Sequence, residues 1–255
     1  MSYPAGPPRA YQIDVVDQVG RAYRAVFERI QLVGEMALLP YVLVLAIEFV
    51  GALIAQGGMV GRIVAALVQA IGFLLFGTVF VVRWQRFILL GETVGGELLP
   101  PGWREFVIVS VKLGALVFVG WLILFVIALL PPFFVTIPLT AAGGVALTLA
   151  ALRLSLIFPA AAIGQPIPLR AAWDSVAGNF WRLFGCAFAA YFPFVVLQMV
   201  VAALGAAAPS LIGIVFLALR LALSFAGSAV AAALLCNLYR DLGIGESAPA
   251  TLAAG

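Results

Sequence analysis

Two residues of opposite charge, Glu48 and Arg153, stand inside long apolar runs of the chain. A charged side chain at the middle of a bilayer costs ~2.5–3.5 kcal/mol on insertion scales, so its presence needs a reason. At about 1.5 Å per helical residue, Glu48 lies roughly 18 Å past Met36 and Arg153 roughly 15 Å before Ile163. If Met36 and Ile163 mark the same membrane boundary, the two charges have similar depth on antiparallel spans. We therefore predict an intramembrane polar pair between Glu48 and Arg153.

The sequence leaves two interpretations of this pair open. As a functional site, the two charges would line a polar or ion pathway near the bilayer midplane of a small transporter or lipid-handling permease. As a structural pair, they would fix the register of two packed helices, because removing one partner would leave the other charge buried alone. A hydrated cavity at mid-depth would favour the first interpretation, and dry packing would favour the second.

Other groups that commonly carry catalysis are scarce in the chain. It contains no histidine, which excludes Ser-His-Asp and Cys-His arrangements and metal sites built on imidazole. Its two cysteines, Cys186 and Cys236, are too few for a disulfide framework or a zinc site. Neither a GxxxxGK(S/T) phosphate loop nor a GxSxG nucleophile turn occurs. We predict no catalytic, cofactor-binding or metal site, no cofactor, and a protein that is not an enzyme.

The composition is that of a membrane protein. Hydrophobic residues make up 65% of the 255 residues and charged residues only 10%, whereas soluble domains are nearer ~45–50% apolar and ~25% charged. A water-soluble protein of this composition could not cover its surface with polar groups, so the excess apolar surface indicates a lipid solvent. The net charge of +3 is small, and we expect membrane lipids, not nucleic acid, as partners.

Six apolar runs are long enough to cross a bilayer as helices, which takes about 20 residues each. The predicted spans are residues 35–55, 62–82, 106–130, 139–163, 183–207 and 210–238. These runs are too long for strands and lack the alternation of a membrane barrel. The sequence therefore predicts an all-α, polytopic membrane bundle of six transmembrane helices.

Two further segments have the period of amphipathic helices. In residues 11–30, apolar side chains such as Val16, Val19 and Tyr23 recur at three- and four-residue spacing, while charged residues take the other face. Residues 169–183 show the same pattern. We predict that both are interfacial helices, which either cover cytosolic ends of the bundle or recruit a partner.

The distribution of arginine predicts the orientation. Ten arginines lie before the first span, between the second and third, between the fourth and fifth, and after the sixth, against only Arg62 on the opposite side. Because positive residues concentrate in cytoplasmic segments, both termini are predicted to be cytoplasmic. The predicted organisation is a disordered N-terminus over 1–10, an interfacial helix over 11–30, a six-span membrane domain over 31–240 and a flexible tail over 241–255.

Four stretches carry a family resemblance. These are RLSLIFP at 153–159, LRAAWDS at 169–175, GNFWRLF at 178–184 and VRWQRFILLGE at 82–92. The first three resemble a broad family of uncharacterised bacterial inner-membrane proteins related to the membrane domain of some glycerophosphodiester phosphodiesterases. The fourth is similar to a second family segment, except that Gln85 stands where the family has histidine.

The resemblance implies a multi-pass protein of the bacterial inner membrane. The phosphodiesterase domain of those relatives has no counterpart in the chain, so that activity is not carried over. We expect a non-enzymatic membrane protein that organises the envelope or its lipids, and the alternative is a small transporter or lipid-handling permease that uses Glu48 and Arg153.

Overall fold

The computed structural model describes residues 12–92, 98–130, 132–207 and 210–244, and all regular secondary structure within them is helical. The helices are α1 (Val15–Phe27), α2 (Ile30–Ile54), α3 (Gly58–Gly72), α4 (Thr78–Leu90), α5 (Trp103–Ala128), α6 (Phe133–Leu154), α7 (Ile157–Ala162), α8 (Leu169–Ser175), α9 (Phe180–Ala207) and α10 (Ser210–Asp241). A 3-10 turn, Ala55–Gly57, joins α2 to α3, and a π-helical segment, Phe73–Gly77, joins α3 to α4. The predicted disordered N-terminus, and the predicted tail beyond residue 244, lie outside the described residues.

Five stretches of helix in the described part of the chain are long and apolar enough to cross a membrane. This confirms the predicted all-helical, multi-pass membrane architecture at that level of detail. The first stretch, Ile30–Leu90, has 61 residues and contains α2, α3 and α4. At about 1.5 Å per residue it would be roughly 90 Å long if it were straight, which is several times the hydrocarbon thickness of a bilayer.

A glycine reversal folds this first stretch back on itself. Gly58 has a φ of 76°, a left-handed conformation that L-residues with a side chain rarely adopt. Close approaches on either side of the turn give the direction of the helices. A Cβ atom on Gly51 would meet Gln69, and one on Gly72 would meet Ile47. Since higher numbers on α3 pair with lower numbers on α2, the two helices form an antiparallel hairpin.

The main buried core surrounds α10, which packs against α9, α1, α4 and α2. The indole nitrogen of Trp84, which is fully buried, donates to the carbonyl oxygen of Ala229 at 2.9 Å. One turn away, the rings of Phe80 and Phe225 lie 5.3 Å apart. Among the buried residues of α10 are the small Ala229, Ala232 and Ala233, and small residues allow the close approach of a neighbouring helix.

One end of the bundle gathers the helix ends that carry arginine, and we call it the basic end. Arg240 at the end of α10 donates to the backbone carbonyls of Ile88 and Leu89 at the end of α4. Arg86 of α4 reaches the carbonyl of Ala162 at the end of α7 at 3.1 Å. Arg29, beside the start of α2, lies over the ring of Phe87, 5.6 Å from its centroid. These contacts hold four helix ends at one level.

Helix α1 covers the basic end. One face, containing Gln18, Ala22 and Val26, is buried against the bundle, and α1 packs on α9 and α10. The Tyr23 hydroxyl donates to the carbonyl of Ala190 at 2.9 Å, and burial raises the pKa of this phenol. Of the two interpretations of the predicted interfacial helix, this packing favours a cover over the bundle.

Two predicted helices are divided in the structure, so their predicted bounds are wrong. The predicted fourth span, 139–163, ends as α6 at Leu154, and the chain resumes as the short, buried helix α7. Pro159 explains the break, because a proline ring clashes with the carbonyl four residues earlier, which is that of Ser155, the C-cap of α6. The predicted interfacial helix 169–183 is likewise divided by Gly178, whose φ is 83°.

Candidate functional site

Arg153 lies in the last turn of α6, at the basic end, and not near the middle of a span. Its Nε donates to the carbonyl oxygen of Trp173 in α8 at 2.8 Å. The guanidinium also lies over the indole ring of the same residue, 4.1 Å from the centroid. The predicted depth of Arg153 is therefore wrong, because it assumed that α6 continued through Pro159 to residue 163.

Glu48 lies six residues before the end of α2, about 9 Å along the helix from Ile54, where α2 ends. Its Oε2 accepts a hydrogen bond from the side-chain amide of Gln69 on α3 at 2.9 Å. The same amide nitrogen lies 3.4 Å from the backbone carbonyl oxygen of Glu48. Glu48 thus belongs to the α2–α3 hairpin, at the end of the bundle opposite α1.

The structure does not bring Glu48 and Arg153 together. Helices α2 and α6 run in opposite directions, so the end of α2 and the end of α6 lie at opposite ends of the bundle. Among the described residues, neither side chain takes part in an ion pair, and each has its own partner within one hairpin or at one helix end. The predicted polar pair is therefore not formed.

A different feature stands out beside α6, a groove of about 690 Å³ lined by α5, α6 and Phe184 of α9. We call it the α5–α6 groove. Its α6 wall consists of a single helical stripe at three- and four-residue spacing. The residues of this stripe are Ile137, Thr140, Ala141, Gly144, Val145, Thr148 and Leu149. The α5 wall is formed by Trp121, Leu124, Phe125 and Ala128.

The groove is apolar although two threonines line it. The hydroxyl of Thr140 donates to the carbonyl of Thr136, and that of Thr148 donates to the carbonyl of Gly144, both at 2.9 Å. Each hydroxyl therefore uses its one donor within its own helix. The groove offers alkyl and aromatic surface, and no charged side chain is among the residues that line it.

The hairpin that forms the groove projects from the rest of the bundle. The two helices are antiparallel, since a Cβ on Gly120 would meet Leu147 and one on Gly144 would meet Trp121. The buried residues of α5, Phe106 and Leu113, both lie in its first three turns. Beyond them, α5 and α6 pack mainly on each other. This leaves the groove open to the surrounding membrane, with Val145 59% exposed.

Arg153 continues the stripe that lines the groove. It follows Leu149 by four residues, so the two side chains lie on the same face of α6, about one turn apart. Phe184, which closes this end of the groove, lies in the second turn of α9 and therefore also near the basic end. A guanidinium that Trp173 holds in place thus lies about one helical turn beyond the end of an apolar groove.

The groove was not predicted from the sequence, although part of its signal is visible there. Small residues at 141, 144 and 148 on the α6 stripe leave room between α5 and α6, and the bulky Trp121 and Phe125 face them from α5. The helices are so uniformly apolar that this stripe does not differ in hydrophobicity from the faces around it. Only the packing shows which apolar face is left without a partner.

Comparisons with protein-family models, with curated proteins and with solved structures gave no match. The resemblance to bacterial inner-membrane proteins described above therefore stays a prediction. The groove and its neighbouring arginine are the basis on which a function can be inferred.

Proposed function

We propose that this is a non-enzymatic, six-span protein of the bacterial inner membrane that binds membrane lipid in the α5–α6 groove. The observation that carries the proposal is the α5–α6 groove itself, which is apolar, has a volume of about 690 Å³ and opens at the side of a projecting helical hairpin. A groove of this kind at lipid depth is filled by acyl chains, because water cannot satisfy apolar walls. A role in organising envelope lipids follows from such binding.

Six spans are supported by the turn at Gly58. If Ile30–Leu90 crosses the membrane twice, the five long helical stretches give six crossings. The basic end, with α1, α8 and the ends of α4, α6 and α10, is then the cytoplasmic end under the positive-inside rule. Both termini would be cytoplasmic.

The alternative of a transporter that uses Glu48 and Arg153 has no specific observation in its favour. The two residues lie at opposite ends of the bundle and have separate partners. A pathway built on them would have to join two sites about one bilayer thickness apart.

The lipid proposal is tested by filling the groove. Val145→Trp places a large ring on the α6 stripe, whereas Leu139→Trp places the same ring on another face of α6, where Leu139 is 54% exposed. Lipids that remain bound after purification in detergent would be counted by mass spectrometry. We expect Val145→Trp to carry fewer lipid molecules per chain than wild type, and Leu139→Trp to carry the same number. Equal lipid content in all three proteins would contradict the proposal.

A further inference from the structure

Arg153, in the last turn of α6, is held by two contacts with one residue, Trp173. Its Nε is engaged by the Trp173 carbonyl at 2.8 Å, and one face of the guanidinium rests on the Trp173 ring. These two contacts fix both the position and the plane of the guanidinium. Its terminal nitrogens, Nη1 and Nη2, make no hydrogen bond to any residue that the structure describes. Both nitrogens are hydrogen-bond donors of fixed orientation that have no acceptor among the described residues.

The surroundings of these donors do not supply an anion. Asp174 is the acidic residue next to Trp173, and its carboxylate faces Arg170, 3.8 Å from the Nε of that residue. Glu48 lies at the other end of the bundle. A half-buried guanidinium with two free donors beside an apolar groove therefore has no carboxylate partner within the described part of the chain.

Planar guanidinium groups bind phosphate oxygens through two parallel N–H···O bonds, which a lysine cannot reproduce. An indole ring at the same level is typical of the headgroup region of a bilayer. A phosphate bound by Arg153 would place the glycerol and the first methylene groups of a lipid at Leu149, where the groove begins. Val145 lies eight residues from Arg153, about 12 Å along α6, which is within the depth of one leaflet.

We propose that Arg153, positioned by Trp173, recognises the phosphate of an anionic phospholipid whose acyl chain lies in the α5–α6 groove. This inference rests on the proposed function, since it names the class of lipid that the groove binds. It selects the leaflet at the basic end of the bundle. Helix α8 then has a structural role, because this seven-residue helix holds Arg153 at the end of the groove.

The experiment compares ligands that share either the chains or the phosphate. Delipidated full-length protein in detergent is titrated with phosphatidylglycerol, with diacylglycerol of the same acyl chains, and with inorganic phosphate, and binding is followed by native mass spectrometry. Arg153→Gln removes the charge and the paired donors. Arg170→Gln is the matched control, because that side chain is 93% exposed and lies on the same helix as Trp173.

We expect wild-type protein to prefer phosphatidylglycerol to diacylglycerol by roughly tenfold, the effect of one charge-assisted hydrogen-bonded contact. Arg153→Gln should abolish this preference without weakening diacylglycerol binding, and Arg170→Gln should keep it. Arg153→Lys, which keeps the charge, should retain part of the preference for phosphatidylglycerol. This partial preference would show that its loss in Arg153→Gln is not caused by misfolding.

Two results would overturn the inference while leaving the proposed function intact. One is equal binding of the two lipids to wild-type protein, combined with sensitivity to Val145→Trp. The other is a preference that survives Arg153→Gln. Binding of inorganic phosphate that is as tight as lipid binding and depends on Arg153 would identify a soluble anion as the ligand and would also overturn it. If wild-type protein binds neither lipid, the proposed function itself is wrong.

Discussion

Glu48 accepts a hydrogen bond from the side-chain amide of Gln69 at 2.9 Å, and this contact joins the two arms of the α2–α3 hairpin. The close approach is possible because Gly51 faces the same amide, where a Cβ would lie 2.7 Å from its nitrogen. A carboxylate near the end of a span is thus satisfied by its own hairpin. Its partner is a neutral amide and not the arginine on α6.

This contact predicts which pair of residues is energetically coupled. Glu48→Ala should lower the free energy of unfolding in detergent by ~1 kcal/mol, because it leaves a half-buried amide without its side-chain acceptor. In a double-mutant cycle, Glu48→Ala and Gln69→Ala should couple by more than ~0.5 kcal/mol. Glu48→Ala and Arg153→Gln should be additive within about 0.5 kcal/mol. Coupling between Glu48 and Arg153 would mean that the two hairpins meet in a way that the structure does not show.

Trp173 is predicted to act on lipid binding through Arg153. Trp173→Phe keeps a ring beneath the guanidinium and should preserve most of the preference for phosphatidylglycerol. Trp173→Ala removes a cation–π contact worth roughly 0.5–2 kcal/mol and frees the arginine to reorient. The measurement is the ratio of phosphatidylglycerol to diacylglycerol binding. A ratio unchanged in Trp173→Ala would show that the ring does not position Arg153.

The membrane orientation can be tested by cysteine labelling. The native Cys186 and Cys236 are both buried, so a membrane-impermeant maleimide should give little background. Gln56→Cys, in the turn between α2 and α3, should be labelled in intact cells. Arg170→Cys, at the basic end, should be labelled only after lysis. The reverse pattern would invert the orientation, and protection of both sites in intact cells would reduce the number of spans.

Asp241, the last residue of α10, joins this helix to α1. One carboxylate oxygen of this residue accepts from both Gln18 and Arg21, each at 2.5 Å. Asp241→Asn should destabilise the protein by roughly 1–2 kcal/mol and increase hydrogen exchange in α1. The control is Asp17→Asn, which removes only the exposed pair between Asp17 and Arg21, four residues apart, and should cost less than about 0.5 kcal/mol. Equal losses for the two variants would show that Asp241 is not the attachment point.

The contact between α5 and α7 predicts a large effect at a glycine. Gly102 has a φ of 78°, and a Cβ there would collide with the carbonyl oxygen of Ala162. Gly91 has a similar φ of 69°, but no atom of the residues that the structure describes lies within 4 Å of its Cβ position. Gly91→Ala should therefore cost only the backbone strain, about 1–2 kcal/mol. Gly102→Ala should cost clearly more, as measured by thermal unfolding in detergent, and equal costs would rule out tight packing at this point.

The sequence by itself determined the membrane class of this protein and the approximate position of its long helices. The apolar runs at 62–82 and 183–207, for example, fall within the Gly58–Leu90 segment and α9. Such runs are reliable because every backbone polar group in lipid must be paired within the helix, whatever the tertiary packing.

Tertiary structure decided where the charged residues lie and which apolar surface no other helix covers. Arg153 was misplaced by about half a bilayer because an apolar run does not show that Pro159 ends α6 and that a buried helix follows. The partner of Glu48 could not be read from the sequence, since Gln69 becomes its neighbour only when the hairpin closes. The α5–α6 groove was hidden for a related reason. In helices that are apolar on every side, hydrophobic periodicity carries no direction, and only packing separates the faces that meet protein from those left to lipid.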